Sequence, residues 1–195
     1  MPLARYLTHP EVRIDPAVAV PDWGLNDKGR ARTRALAASG ALTGTVRIVT
    51  SAERKAVEAA EILSAPLGIV PEVRARMGEN DRSATGFLPG PDFEAMADRF
   101  FAQPDQSAEG WERAVDAQAR IMAEAAACLS EPLSGDILFV GHGAVGTLLW
   151  CGLSGKPISR VHDQPFGGHV FAFDTVDRQP LSAWQPMENL AQTPP

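Results

Sequence analysis

Short apolar runs with strand-like composition alternate with helical patterns along most of this chain, and this alternation constrains the fold more than any other feature. The run 137–140 is almost entirely apolar, as is typical of a strand covered on both faces, and 46–50 is short and β-branched. Further strands are predicted at 5–8, 168–174 and, more weakly, 68–71, with helices at 27–38, 52–63, 93–101, 109–129 and 144–153. The pattern predicts an α/β protein, a three-layer α/β/α sandwich around a mainly parallel sheet.

The composition fits a single globular unit. The 195 residues are 45% hydrophobic and 22% charged, so we expect one domain over 1–195, with a weakly structured tail rich in Pro and Gln from about residue 179. The net charge of −6 argues against a surface for nucleic acid or anionic membrane, because such a surface needs a basic patch. It is compatible with a small anionic substrate.

The cysteines and the first residues bear on location. Cys128 and Cys151 lie in apolar helical stretches and are predicted to be buried, reduced thiols; a disulfide or a metal pair is the minor alternative. The first residues lack a signal-peptide pattern, and no run approaches the length of a membrane span. We therefore expect a cytoplasmic protein that makes no membrane contact.

Two histidines follow predicted strands directly. His9 comes after 5–8, and His142 comes after 137–140 and Gly141. The carboxyl ends of parallel strands open onto one crevice, so the two imidazoles are predicted to face a single ligand. The alternative for His9 is a simple turn residue before Pro10. For His142 the flanking glycines, Gly141 and Gly143, favour close approach of an anion at a helix N-terminus.

Three further residues are candidates for the same crevice. Ser51 is predicted to cap the helix after the second strand, and Arg54 lies one turn into it, so together they have the geometry of an oxyanion pocket. Glu79 lies in an irregular stretch, 77–91, and an enclosed carboxyl group there could act as a general acid. The alternatives are a solvated helix arginine and a solvated loop glutamate.

In combination, these residues resemble the histidine phosphatase superfamily, the phosphoglycerate mutase-like proteins, from about Arg5 to Asp174. Val140-Gly141-His142-Gly143 matches the second histidine motif of that family closely. The other segments that carry the resemblance are Tyr6-Leu7-Thr8-His9-Pro10, Leu25-Asn26-Asp27-Lys28-Gly29, the run from Thr50 to Ala60, and Met77-Gly78-Glu79-Asn80-Asp81.

The resemblance implies a role for each main residue. His9 is implied to be the nucleophile that takes up a phosphoryl group as phosphohistidine, and Glu79 to protonate the leaving alkoxide and then activate water. Arg54 and His142 are implied to hold the phosphoryl oxygens, as positive groups around a transferred phosphoryl should. The implied mechanism needs no metal and no cofactor, and the four histidines lack the spacing of a zinc site.

The first motif departs from the family pattern. Thr8 stands where the family has a phosphate-contacting arginine, and Pro10 stands where it has glycine. Loss of one such donor should weaken transition-state stabilisation by about 2–4 kcal/mol. Arg13 is the first choice to supply the missing charge, ahead of Arg5 and Arg82, although a solvated Arg13 is the alternative.

The phosphate-binding set inferred from these motifs is wider than the catalytic set. Its members are Thr8, Arg13, Ser51, Gly143 and His169. His169 is included because the last strand of this family passes close to the phosphate pocket. For His169 and for His162 a structural or surface role is the favoured alternative.

The sequence therefore predicts a phosphomonoester hydrolase with a phosphohistidine intermediate. Its partner is predicted to be a small phosphorylated metabolite or inorganic phosphate. The rival interpretation, motivated by Thr8 and Pro10, is a phosphate-binding or scaffolding protein that has lost turnover. A phosphoglycerate-type mutase is a third and less favoured possibility. The sequence leaves the substrate and the oligomeric state open.

Overall fold

A computed structural model describes residues 2–192, and a six-stranded sheet forms its centre. The strands follow the spatial order β3-β2-β4-β1-β5-β6. Strand β4 is parallel to both β1 and β2, whereas β5 runs antiparallel to β1. The strands are β1 (Leu3–Thr8), β2 (Thr45–Thr50), β3 (Glu72–Val73), β4 (Asp136–Gly141), β5 (His169–Asp174) and β6 (Gln185–Pro186). The predicted α/β fold with a mainly parallel sheet is confirmed.

Helices cover both faces of this sheet, because its central strand is apolar on both sides. Successive side chains of β4 alternate: Ile137 and Phe139 join the hydrophobic cluster with α3, α4 and α5, while Leu138 and Val140 join the cluster with α1 and α2. The helices are α1 (Asp27–Ala38), α2 (Arg54–Ser64), α3 (Gly90–Ala102), α4 (Ala114–Leu129) and α5 (Gly143–Leu153). The three-layer arrangement follows from this alternation.

The strand register brings the ends of three strands to one edge. Thr8 of β1 pairs with Gly141 of β4, and Thr50 of β2 pairs with Val140. The residues that follow these positions therefore leave the sheet together. This edge positions the candidate site.

Two predicted elements are displaced in the structure. The weak strand predicted at 68–71 lies instead at Glu72–Val73, because Gly68 adopts a left-handed conformation that ends the preceding helical turn. The helix predicted from residue 109 begins at Ala114. Glu109 and Gly110 both have positive φ angles, which right-handed helix geometry does not allow.

The described part of the C-terminal tail, residues 179–192, packs against the rest of the protein, which its composition does not predict. Gln185 pairs with Val170 of β5, and the side chain of Met187 is completely buried against the cluster that includes α1 and α2. Glu188 adds an ion pair to Arg32, with Nε and Oε1 2.7 Å apart. For residues 179–192 the expectation of a weakly structured tail is therefore corrected, because strand pairing through the backbone leaves no signal in composition; residues 193–195 lie outside the described residues.

Two other expectations concern the cysteines and membranes. Cys128 and Cys151 are both buried and free, as predicted. Between residues 2 and 192, none of the helices combines the length and the apolar character needed to cross a bilayer.

Candidate active site

His9 presents one ring nitrogen to a cavity at the carboxyl edge of the sheet. Its backbone N–H donates to the carbonyl of Gly141, at 2.9 Å, and its Nδ1 lies 2.9 Å from the carbonyl oxygen of Pro10. A carbonyl oxygen can only accept, so Nδ1 carries the proton and Nε2 keeps its lone pair. Burial lowers the pKa of His9 to about 4, despite the Pro10 contact, which raises it. The ring is therefore neutral at pH 7.

His142 lies beside His9, as the strand register requires. The two ring centroids are 5.3 Å apart, at an interplanar angle of 68°. His142 is fully buried, and its Nε2 lies 2.6 Å from the hydroxyl of Ser51. The Tyr6 hydroxyl accepts the His142 N–H at 3.0 Å and donates to its carbonyl at 3.2 Å, which fixes the turn. Burial lowers the pKa of His142 well below 6.5.

Ser51 serves this site and not the start of the helix. The expectation that it caps α2 is corrected, because α2 begins at Arg54 with Glu53 as its N-cap residue. The Ser51 hydroxyl instead accepts the Glu53 N–H, at 3.2 Å, and bonds to His142. Ser51 thus connects the end of β2 to the second histidine.

Glu79 reaches the same edge from the irregular segment that follows β3. Its carboxylate accepts the N–H groups of Ala144, at 3.3 Å, and Val145, at 3.0 Å, in the first turn of α5. Burial raises the pKa of Glu79, and the charge on Glu53 raises it further, whereas Arg82 and these backbone contacts oppose the rise. A carboxyl group with a raised pKa keeps its proton to a higher pH than a solvated one does, and this suits a proton donor.

The structure does not bring Arg54 to the cavity, and Lys55 occupies the position predicted for it. The Arg54 side chain is 62% exposed and pairs with Glu58 one turn further along α2, with Nε and Oε1 2.9 Å apart. Lys55, whose side chain is 4% exposed, lines the cavity. The sequence carried a signal for this. Lys55 lies one turn before Ala59, on the stripe that the predicted helix buries, whereas Arg54 faces Glu58.

The charge on Lys55 is balanced inside the protein. Its Nζ donates to the carboxylate of Glu53 and to the carbonyl of Val20, the latter at 2.9 Å. Burial alone would raise the pKa of Glu53, but His142, Lys55 and the backbone N–H of Glu79 outweigh it and hold that pKa at about 2. The buried cation that lines the cavity therefore has a fixed carboxylate beside it.

Thr8 orients a glutamine instead of contacting the cavity itself. Its hydroxyl accepts the N–H groups of Gly168, at 3.0 Å, and His169, at 3.1 Å. Its single proton goes to Gln164 Oε1, at 2.6 Å, which is closer than the other acceptor in reach, the His169 carbonyl at 3.3 Å. The amide Nε2 of Gln164 then points toward Gly143, so close that a Cβ there would lie 2.6 Å from it, and Gln164 and Gly143 both line the cavity. Nothing in the sequence pattern pointed to Gln164.

Of the three arginines considered as replacements for the missing one, Arg82 is the one that lines the cavity. Arg13 is exposed, because the chain after Pro10 is extended: Val12 and Ile14 face the cavity and Arg13 points away. Arg5 pairs with Asp136 at the opposite end of β1, with Nη1 and Oδ2 2.7 Å apart.

His169 and His162 lie outside the cavity. His169 is buried, with its ring edge-on to Phe166 at a centroid distance of 4.6 Å. His162 packs against Trp150 with centroids 5.0 Å apart. Both placements agree with the structural alternatives for these residues.

The cavity has a volume of about 500 Å³, within the range of small-molecule sites. The polar groups described above that line its inner end are those of His9, Lys55, Glu79, Arg82 and Gln164, whereas His142, Ser51 and Glu53 lie behind them and do not line it. Elsewhere its walls are largely apolar. The aromatic residues that line it are Trp23, Phe87, Phe93, Phe101, Trp111 and Phe166. In the described part of the chain, no group of three or more His, Cys, Asp or Glu side chains is arranged to hold a metal ion.

Similar folds occur among solved structures. A mycobacterial glucosyl-3-phosphoglycerate phosphatase in complex with inorganic phosphate is 18% identical, with a TM-score of 0.79 over 96% of this chain and 99% of that one. The same protein in complex with VO3 is 20% identical, with a TM-score of 0.78 over 95% of this chain and 100% of that one. YhfR of Bacillus stearothermophilus is 20% identical, with a TM-score of 0.75 over 95% and 96%. At these identities the likeness establishes the fold alone.

Sequence comparison establishes the family. No curated protein matches this chain. The sequence profile of the histidine phosphatase superfamily (branch 1) matches residues 13–172, a span that includes Lys55, Glu79 and His142 and begins after His9. Because that match covers well over half of its length, this chain belongs to the histidine phosphatase superfamily.

Proposed function

We propose that this protein hydrolyses a small phosphate monoester through a phosphohistidine at His9. The observation that carries the proposal is the state of the His9 ring: Nδ1 donates to the carbonyl of Pro10, and the neutral ring keeps a lone pair on Nε2 at the cavity. A second imidazole and a carboxyl group of raised pKa lie at the same edge of the sheet. In this proposal His9 is the nucleophile and Glu79 the proton donor, and His142 packs beside the His9 ring and positions it.

In the first step, His9 Nε2 attacks phosphorus in line with the ester oxygen. The P–O bond to the alcohol breaks, and its electron pair takes the proton of Glu79 as the alcohol leaves. In the second step, ionised Glu79 takes a proton from water while the water oxygen attacks the phosphorus. The P–N bond then breaks, inorganic phosphate is released, and His9 and Glu79 return to their starting states.

The proposed phosphate ligands differ from those that the family pattern implies, because neither position 8 nor Arg54 supplies a guanidinium to the cavity. Arg82 supplies a full positive charge, and Lys55 supplies one that Glu53 partly offsets. Gln164 Nε2, held by Thr8, is a neutral donor beside Gly143 at the start of α5. A neutral donor stabilises developing charge less than a guanidinium does, so slower turnover is expected than with an arginine at position 8.

Solved structures of a protein with the same fold give general support to the proposal that the site binds phosphate. A mycobacterial protein of the same fold has been crystallised with inorganic phosphate and with VO3. Both are compact oxyanions, the class of ligand that the edge beside His9 is proposed to bind. A small phosphorylated substrate and a cytoplasmic location are proposed for this protein as well.

A second candidate is a protein that binds phosphate without turnover. The Glu53–Lys55 pair favours it, because a carboxylate beside the pocket offsets the charge of Lys55 and opposes the charge that accumulates on a phosphoryl group. In this case the fold and the anion affinity are kept, and the chemistry is absent.

Phosphate release from a panel of monoesters, measured for the wild type and His9→Ala, separates these candidates. We expect release by the wild type and a loss of about a thousandfold or more in the variant. His162→Ala is the control, since that histidine lies outside the cavity. Equal background release from the wild type and His9→Ala would contradict hydrolysis. Isomerised ester without free phosphate would indicate a mutase.

A further inference from the structure

The cavity is much larger than a phosphate group. Its outer part, lined by Ile14 and the six aromatic residues named above, is largely apolar. We propose that this outer part binds the apolar, aromatic-sized alcohol portion of the substrate. The substrate class would then be phosphate monoesters of bulky apolar alcohols, and not phosphorylated sugar acids. The inference rests on the proposed function for the position of the phosphate, but its affinity for an apolar group can be measured without turnover.

Paired aromatic rings form two sides of the outer cavity. The rings of Trp23 and Phe87 lie 5.6 Å apart, and those of Phe93 and Trp111 lie 6.1 Å apart. The Trp23 side is held rigidly, because its indole N–H donates to the carbonyls of Asp15 and Val18 within the same loop, at 2.9 and 3.0 Å. Such surfaces bind a flat apolar group by burial and by offset or edge-to-face ring contact.

The rim of the cavity exposes large apolar side chains to solvent. Ile14, Phe87 and Phe166 are 62%, 37% and 59% exposed, and all three line the cavity. They come from three segments that are distant in sequence and converge at one opening. Apolar groups gathered around a cleft mark a ligand-binding surface, because burial by a ligand removes them from water.

The charged groups in the cavity oppose a second anionic group on the substrate. Arg160 forms ion pairs with Glu94 and Asp98, and Lys55 pairs with Glu53. Glu94 and Asp163 also line the wall, and both are acidic. A carboxylate or second phosphate on the substrate would therefore meet negative charge or an occupied cation.

Arg82 is the exception among the cavity-lining cations that the structure describes, since no carboxylate pairs with it. Its guanidinium carbon lies 5.1 Å from the centre of the Phe93 ring and 5.6 Å from that of Trp111. Arg82 therefore lies between the inner end of the cavity and the aromatic wall of its outer part. One free cation suits a ligand with one phosphate and an apolar remainder.

Binding of non-hydrolysable phosphonates tests the outer cavity directly. Calorimetry with 1-naphthylphosphonate and with methylphosphonate compares the same anionic group with and without an apolar remainder. We expect 1-naphthylphosphonate to bind at least about tenfold more tightly, which corresponds to about 1.4 kcal/mol. Equal affinity of the two probes would overturn the inference.

Substitutions at the rim locate the apolar contact. Phe166→Ser is expected to lower the affinity for 1-naphthylphosphonate by about fivefold and to leave that for methylphosphonate unchanged. Leu181→Ser is the matched control, because Leu181 is similarly exposed, at 60%, and lies outside the cavity. The same loss in both variants, or in neither, would contradict a naphthyl site at this rim.

Measurements of turnover distinguish a failure of the proposed substrate class from a failure of the proposed hydrolysis. If phosphate release is measurable, kcat/KM should favour 2-phenylethyl phosphate, which is an alkyl ester like its competitors, over glycerol 2-phosphate and 3-phosphoglycerate by about tenfold or more. Release that favours 3-phosphoglycerate would overturn the substrate class and leave the hydrolase intact. Tight naphthylphosphonate binding with no release of phosphate would contradict the hydrolase and support the apolar site.

Discussion

The inner and outer ends of the cavity are built from different parts of the chain. At the inner end, His9 and His142 leave neighbouring parallel strands, and hydrogen bonds to backbone or buried groups fix their rings. At the outer end, Trp23 and Phe87 come from irregular segments, and the hydrogen bonds of Trp23 reach only its own loop, so the two rings meet by packing. In the proposed function the sheet edge therefore carries out the chemistry, and the loops select the substrate.

Among substitutions that test the difference between the two ends, the largest expected effect on turnover is that of Glu79 at the inner end. Loss of its proton donor in Glu79→Gln should lower kcat by about 100- to 10,000-fold. In the wild type, kcat/KM should rise as pH increases through the pKa of His9, about 4, because the nucleophile must be neutral. It should fall as pH passes the raised pKa of Glu79, because the acid must be protonated.

A pH–rate series for the wild type and Glu79→Gln is the measurement. The variant should keep the acidic limb and lose the alkaline limb. An alkaline limb unchanged in the variant would assign the proton donor to another group. Glu61→Gln is the control for removal of one carboxylate, because Glu61 is exposed and lies outside the cavity.

Substitutions at three consecutive residues of the chain should affect phosphate affinity in three different ways. Lys55→Met should weaken binding by about 1.5–3 kcal/mol, the scale of a hydrogen bond to a charged group. Glu53→Gln should tighten it by roughly three- to tenfold, because the carboxylate that competes for Lys55 is removed. Arg54→Met should change little, since its side chain points outward.

Calorimetry with inorganic phosphate measures all three variants. The melting temperature is recorded alongside, because a buried carboxylate that loses its partner destabilises the fold. A marked loss of affinity in Arg54→Met, with Lys55→Met unaffected, would restore Arg54 as the phosphate ligand. Weaker binding by Glu53→Gln would show that its carboxylate supports the pocket.

The smallest expected effects concern Thr8 and Gln164. Gln164→Leu removes one neutral donor and should weaken phosphate binding by about 1 kcal/mol, with little change in stability. Thr8→Val also leaves the N–H groups of Gly168 and His169 without their acceptor, so it should lose stability as well, by about 1–3 kcal/mol. Thr8→Ser keeps the hydroxyl and is the control.

Urea unfolding together with phosphate titration separates these two roles. The expected pattern is weaker binding in both variants, with instability in Thr8→Val alone. Full phosphate affinity in Gln164→Leu would remove this glutamine from the pocket. It would also leave the threonine at position 8 with a structural role only.

The sequence predicted the inner end better than the outer end, for physical reasons. A strand end followed by histidine fixes both the position and the direction of a side chain, so His9 and His142 could be placed together from pattern alone. Lys55 was missed by one residue, although the helical stripe of Ala56, Ala59 and Leu63 indicated which neighbour is buried.

Residues from irregular segments carried no comparable signal. Arg82 and Gln164 reach the cavity through loop conformations that depend on distant contacts, such as the Thr8 hydroxyl for Gln164. Arg13 was preferred because it lies close to His9 in sequence, but the extended chain turns it outward. Proximity along the chain is a poor guide where no strand or helix sets the direction of a side chain.

The most direct measurement of the central claim is the detection of the phosphorylated enzyme. Wild type mixed with a phosphate monoester and quenched in alkali, where phosphohistidine survives, is digested and analysed by mass spectrometry. The expected result is one added phosphoryl group on the peptide that contains His9, which disappears as the substrate is consumed. Phosphate release with no phosphoryl group on that peptide, and with His9→Ala as active as the wild type, would contradict it.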